Sequence, residues 1–223
     1  MDAVAVEAVD AVVFDCDGVL VDSLASVDRC WRRWSVELGL DPDAVLAIIH
    51  GQPTRDSVST LLPAEDVEAA IALIDRYELE DVDDVTAMPG ATALLAAIPP
   101  GRWAVVTSAS RELFTARFAA AGLSEPAVVV TADDVTRGKP HPEGYAGAMR
   151  RLRVAPGRAA IFEDSDGGIA AAIASGAGTV IRVGTGEPGP GQAAVVADLR
   201  SVSWRDGLVL RPGGMSSKVT ADR

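Results

Sequence analysis

The chain is poor in several residue types, and each scarcity removes a class of explanation. Two cysteines, Cys16 and Cys30, are too few and too badly spaced for a disulfide framework or a zinc site. Only two lysines, Lys139 and Lys218, stand among the 20 basic residues. Basic residues are outnumbered by 32 acids, for a formal net charge of −12. Residues 22–86 hold fifteen of those acids against five arginines, so ten of the twelve excess charges lie in one segment. Such a surface repels phosphate backbones and anionic headgroups, and neither nucleic acid nor a membrane is expected as a partner. A solvated acidic face is the simplest account of it. No apolar run is long enough to span a bilayer, and the first residues carry early acids rather than a basic leader. A cytoplasmic protein is expected. The 48% hydrophobic content is that of a globular chain, and 223 residues suffice for one sizeable core or a core with a small insertion.

What is present is concentrated in a few short stretches. Ala11-Val12-Val13-Phe14 is an apolar run of β-formers and predicts a buried strand. It ends at Asp15, and Asp17 follows two residues on, with Gly18 next. In extended backbone these two acids share a side, where like charges raise each other's pKa unless a cation lies between them. Cys16 then points away from them and is expected to be a small buried residue. Strand, paired acids and a sharp turn are the layout of a site at the carboxyl end of an α/β sheet.

Roughly 20–86 reads as helical. Leu24, Val27, Trp31, Trp34 and Leu38 recur at helical spacing, with Ser23 as an N-cap and Gly39 as a stop. The tryptophans are expected in the helix core. Further helices are predicted from Asp41-Pro42 to Ile49, from Thr54 to Leu62, and from Pro63 to about Tyr77. After Pro89-Gly90 strands alternate with helices. Strands are predicted at 103–106, 127–130, 159–162, 179–183, 193–196 and 207–210, and helices at 92–98, 111–121, 143–152 and 169–175. Alternation of this kind implies a parallel sheet covered on both faces, with all strand carboxyl ends on one edge.

Polar clusters fall at those ends: Asp15 and Asp17, Thr107 and Ser108, Lys139, then Glu163 and Asp164. Four carboxylates in one crevice call for a divalent cation, and hard oxygen ligands favour Mg²⁺. A phosphate beside it needs donors, which Lys139, the Ser108 or Thr107 hydroxyl and backbone N–H groups such as that of Ala109 can supply. One carboxylate in line with phosphorus can attack it, and a neighbouring carboxyl can move the protons.

Four stretches, DCDGVLVDS, VVTSAS, RGKPHPEGY and IFEDSDGGIAAAIASG, occur in the order of the four motifs of the haloacid dehalogenase (HAD) superfamily, which the chain resembles over about 10–185. The resemblance implies an α/β Rossmann-like core at 1–19 and 87–212 and a small inserted α-helical cap at 20–86; the Gly/Ser-rich composition of 213–223 predicts a flexible tail. The resemblance also implies Asp15 as nucleophile and Mg²⁺ ligand, and Asp17 as general acid/base that gives Mg²⁺ its main-chain carbonyl. Ser108, with Thr107 as the alternative, and Lys139 would bind the phosphoryl group, and Asp164 and Glu163 would hold Mg²⁺, Glu163 from behind the direct ligands. His50-Gly51-Gln52-Pro53-Thr54-Arg55 is similar to a cap stretch of glycerol-3-phosphate, 2-deoxyglucose-6-phosphate and related sugar-phosphate phosphatases. That places His50 and Arg55 in the substrate pocket, against a helix-end role for His50 and a surface ion pair for Arg55. The expected activity is Mg²⁺-dependent hydrolysis of a small phosphorylated metabolite, by a monomer or weak homodimer. A phosphomutase of the β-phosphoglucomutase type is the alternative, although the histidine those enzymes carry early in the cap is missing near Val27. A non-catalytic binding module on the same scaffold is the remaining one.

Overall fold

Ala11–Phe14 (β2), all four residues buried, lies inside a seven-stranded sheet. The computed structural model describes residues 9–49 and 53–211 in full, and the backbone of Val4–Ala5 (β1) and Met215–Ser217 (β12). Strand β2 is flanked in parallel by Trp103–Val106 (β5) and Ala159–Glu163 (β7). Val129–Val130 (β6) extends the sheet beyond β5, and Thr179–Val183 (β8) and Ala194–Val196 (β9) extend it beyond β7. The chain therefore runs outward from β2 in one direction and then returns to build in the other. The carboxyl end of β2 is the switch point where a crevice opens in such sheets.

Alternate residues of the strands feed two cores. Val12, Phe14, Val105 and Phe162 pack with Leu94 of Ala91–Ala97 (α5) and with Phe114 and Phe118 of Arg111–Ala120 (α6). Val13, Ala104 and Ile161 pack on the other face with Tyr145 and Met149 of Glu143–Leu152 (α7) and with Ile169 of Asp166–Ala174 (α8). The Phe14 ring stacks on Phe162 at 5.3 Å and meets Trp103 edge-on at 6.3 Å. A fully buried ring of this size contributes roughly 1.5–3 kcal/mol.

Between β2 and β5 the chain leaves the sheet. Leu24–Glu37 (α1), Pro42–Ile49 (α2), Thr54–Leu61 (α3) and Val67–Glu80 (α4) share a separate core of Trp31, Trp34, Val45, Val58, Ile74 and Tyr77. The rings of Trp31 and Trp34 lie 5.1 Å apart inside it, as helix core. Exit and entry are tied together by an antiparallel pair, Val21–Asp22 (β3) with Thr86–Ala87 (β4), so the segment from 20 to 86 is not wholly helical. Helix α4 begins at Val67 rather than at Pro63. The apolar stripe Val67, Ala70, Ile74, Tyr77 starts there, and residues 63–66 form a turn closed by Asp66 N–H on Pro63 O. Ser23 precedes α1 without capping it: its backbone is already helical rather than extended, and its hydroxyl donates to Asp17.

Two features lie outside the sequence expectations. The strand expected at 207–210 is present as Leu208–Leu210 (β11), but with Val202–Trp204 (β10) and β1 it makes a separate antiparallel three-stranded sheet. Within the stretch expected to be a flexible tail, β12 pairs antiparallel with β9 and extends that edge. No helix among the described residues is long and apolar enough to cross a membrane.

Candidate active site

Parallel register delivers the first cluster. Phe14 pairs with Phe162, so the residues that follow each strand partner, Asp15 and Glu163, emerge side by side. Asp15 N–H donates to Phe162 O at 2.9 Å and holds that register to the end of the strand. Ligand oxygens of Asp15, Glu163 and Asp164 all lie within 4.8 Å of one another. Gly18, with φ +75°, turns the chain just beyond, and a Cβ there would sit 2.1 Å from Asp164 Oδ2. Asp164 thus reaches the cluster across a turn that only glycine leaves open.

Lys139 is buried in the midst of these acids. Its ammonium lies 2.5 Å from Asp15 Oδ1 and 2.7 Å from Glu163 Oε2. Glu163, fully buried, has both oxygens occupied. Oε2 also accepts from the Tyr145 hydroxyl, and Oε1 accepts from Asp164 N–H, Ser165 N–H and the Ser165 hydroxyl. The first turn of α8 makes room for this carboxylate, since a Cβ on Gly168 would fall 1.8 Å from Glu163 Oε2. Burial works against the Glu163 charge, but Lys139 and the hydrogen bonds outweigh it and hold the carboxyl down at about 2. Burial likewise opposes the Lys139 charge, and Asp15 and Glu163 more than restore it. Burial, then the Glu163 charge, pushes Asp164 up to about 7 and lifts Asp15 well above the carboxylate range. One ammonium among three carboxylates leaves an excess of negative charge that a bound cation would relieve. The donor set is all oxygen, which fits Mg²⁺. Asp15 and Asp164 are the carboxylates with room to reach it, while Glu163 is already saturated by its neighbours.

The Asp17 carboxylate stands apart from that cluster, so three carboxylates converge rather than the expected four. Its Oδ1 accepts from the Ser23 hydroxyl at 2.7 Å and from Arg117 Nη1 at 3.0 Å. Cys16 between the two acids is fully buried, and burial pushes its thiol up.

A cavity of about 830 Å³ opens beside Lys139, between the sheet edge and the helical segment. Ser108, exposed, and Ala109 line it with Thr107. Thr107 is buried and its hydroxyl accepts from Ala109 N–H at 3.0 Å, whereas Ser108 is exposed; both line the cavity. Arg55, Asp56, Asp75 and Glu78 of the helical segment form the facing wall. Arg55 both lines the cavity and pairs with Glu68, at 2.9 Å for its Nη2. His50 lies outside the described residues.

Sequence reasoning missed Tyr145, Glu78 and Arg117. Tyr145 was within reach, six residues past Lys139 and in the first turn of α7. Arg117 left a fainter trace as an arginine three residues after Phe114 and four after Leu113, on the apolar stripe of α6.

Residues 9–176 match the family model of haloacid dehalogenase-like hydrolases. The chain is 40% identical over 172 residues to hexitol phosphatase A of Escherichia coli K12, covering 74% of this chain and 78% of that one. It is 31% identical over 186 residues to glycerol-1-phosphate phosphohydrolase 2 of Saccharomyces cerevisiae, covering 75% and 72%. The crystal structure of a HAD family hydrolase from Deinococcus radiodurans R1, with bound phosphate and sodium, superposes with TM-score 0.57 at 29% identity, over 82% of this chain and 84% of that one. With four ordered motifs folded onto one sheet edge and a family match across three quarters of its length, the chain belongs to the haloacid dehalogenase-like hydrolases.

Proposed function

We propose that the protein is a Mg²⁺-dependent phosphatase that hydrolyses a small sugar or polyol phosphomonoester through a phosphoenzyme on Asp15. The observation that carries this reading is the Asp15–Lys139–Glu163–Asp164 cluster beside a cavity large enough for a small phosphorylated metabolite. Its similarity to polyol and sugar phosphatases supports the substrate class.

In this reading an Asp15 carboxylate oxygen attacks phosphorus and the P–O bond to the alcohol breaks. Asp17 protonates the departing oxygen. Water then attacks the same phosphorus, Asp17 takes its proton, and the aspartyl-phosphate bond breaks to release inorganic phosphate and restore Asp15. Lys139 holds Asp15 in line and neutralises charge on the phosphoryl oxygens. Ser108 and backbone N–H groups near Ala109 donate to the same oxygens. Mg²⁺, held by Asp15, Asp164 and the Asp17 carbonyl with Glu163 behind them, would supply charge stabilisation to the phosphoryl group. Residues 20–86 act as a cap over a core of 1–19 and 87–212, and set specificity while excluding water.

Phosphate release from a panel of sugar, polyol and nucleotide monophosphates tests this, with Mg²⁺ and then with EDTA. Metal-dependent release with a preference for polyol or sugar phosphates is expected, and Asp15→Asn is expected to abolish it with the fold intact. Near-normal turnover in that variant would remove Asp15 from its role. Isomerisation of glucose 1-phosphate without release would identify a mutase instead.

A further inference from the structure

Arg117 is the one buried guanidinium near the site among the described residues, with only 4% of its surface exposed. It projects from α6, outside the four family motifs. Nη1 donates to Asp17 Oδ1 at 3.0 Å. On the opposite side Nη2 lies 3.5 Å from Glu78 Oε2, a buried carboxylate on α4 of the helical segment. Its Nε and Nη2 make no hydrogen bond among the described residues.

As a stability device this arrangement is poor. Arg117 and Glu78 are taken out of water, and two guanidinium nitrogens go without a proper acceptor. Burying such groups costs several kcal/mol, which hydrophobic replacements would avoid. What the arrangement does achieve is orientation. Asp17 Oδ1 is held by two donors, Ser23 and Arg117, that come from different elements. No hydrogen bond reaches Oδ2 among the described residues, so the oxygen left over is the one that can exchange a proton. Glu78 flanks the arginine at ion-pair distance from the helical segment, so the surroundings of the Asp17 carboxyl draw on both halves of the molecule.

We infer that Arg117 is a positioning residue for Asp17, held in place by Glu78. It is neither among the residues that line the cavity nor in the cluster around Lys139. The inference rests on the phosphatase reading and deepens it.

The step most sensitive to a misplaced carboxyl is hydrolysis of the phosphoenzyme, in which Asp17 must take a proton from water. Phosphoryl transfer from p-nitrophenyl phosphate is the least sensitive, because nitrophenolate leaves without a proton. The test uses that ester with Mg²⁺, comparing the wild type, Arg117→Met, Arg117→Lys and Glu78→Gln. General acid–base catalysis is worth about 10²–10⁴-fold, and loss of positioning alone should cost part of it. For Arg117→Met, kcat is expected to fall about 10- to 100-fold. Its kcat/KM, which reports only the steps through phosphoryl transfer, should stay within about threefold, so KM falls with kcat. Acid-quenched samples of Arg117→Met should carry an accumulated phosphoryl group by mass spectrometry. Arg117→Lys should recover most of kcat. Glu78→Gln should show the same split at a few-fold. An unchanged kcat in Arg117→Met overturns the inference, as does an equal fall in kcat and kcat/KM without phosphoenzyme, which is the mark of a packing defect. If Arg117→Met does not fold, an unchanged kcat in Glu78→Gln overturns it. A wild type that releases no nitrophenol in Mg²⁺ fails at the phosphatase reading itself and takes the inference with it.

Discussion

Glu163 and Asp164 are adjacent in sequence and titrate in opposite directions. Glu163 is held down at about 2 because donors fill both its oxygens, whereas Asp164 is pushed up to about 7 by burial and by Glu163 itself. Chain position says nothing of this, since the difference is made by Lys139, Tyr145 and the turn at Ser165. Glu78 shows the same logic away from the cluster. Burial pushes its carboxyl from an ordinary 4.5 up to about 7, against the pull of Arg117, with Asp17 and Asp75 adding to the rise. A carboxyl whose folded pKa lies above its unfolded one binds its proton more tightly when folded. Its stability penalty is therefore absent below about 4.5, grows as pH rises, and is complete above about 7. At 1.36 kcal/mol per pKa unit the full penalty is on the order of 3 kcal/mol. Glu78→Gln removes that penalty, so its stability relative to wild type should rise by about that amount between pH 4.5 and 7 and then level off. Urea unfolding at pH 5, 6, 7 and 8 measures this. A difference between the two proteins that does not vary with pH would show that Glu78 ionises as easily folded as unfolded.

The apolar stripes of the helices from α1 to α4 face one another and share a core apart from those of the sheet. Trp34 is its centre, fully buried and donating from Nε1 to Ala70 O at 2.8 Å across to α4. Trp34→Ala should cost about 3–5 kcal/mol, as large-to-small changes in cores do. The loss should appear first as faster amide exchange in 24–80, with protection in β2, β5 and β7 retained. Equal loss of protection in both parts would mean that the helical segment and the sheet unfold together. Helical periodicity and strand runs were legible here because each element buries a regular pattern of its own. The short pairings were not: β3 with β4, β1 with β11, and β12 on β9 are two or three residues long and take their order from partners distant in the chain.

Across the whole molecule, the acidity of 22–86 acquires a direction. Asp56, Asp75 and Glu78 line the cavity from the helical side, and Arg55 is the cation on that wall. Carboxylates accept hydrogen bonds from hydroxyls and repel a second anionic group, so monophosphates of polyols or sugars should be turned over faster than the corresponding bisphosphates. Arg55→Ala should widen that gap and alter preference among natural esters, while p-nitrophenyl phosphate hydrolysis changes little. Its pairing with Glu68 is exposed, so stability should move by less than about 1 kcal/mol. Equal loss on every ester would place Arg55 in the fold instead of in specificity.

The sequence by itself determined the alternating α/β architecture, the helical insertion and the polar residues carried to the strand ends. Those follow from local periodicity and from the parallel-sheet rule that brings every carboxyl end to one edge. Only the tertiary structure decided which of those polar groups meet. It brought Asp15, Glu163 and Asp164 together around Lys139, turned the Asp17 carboxyl toward Ser23, and set Arg117 between Asp17 and a glutamate from a different core. The physical reason is range. A strand or helix is written in neighbouring residues, whereas a buried charge is answered by whatever the packed chain brings within a few ångströms, here a hundred residues away for Arg117 and Asp17.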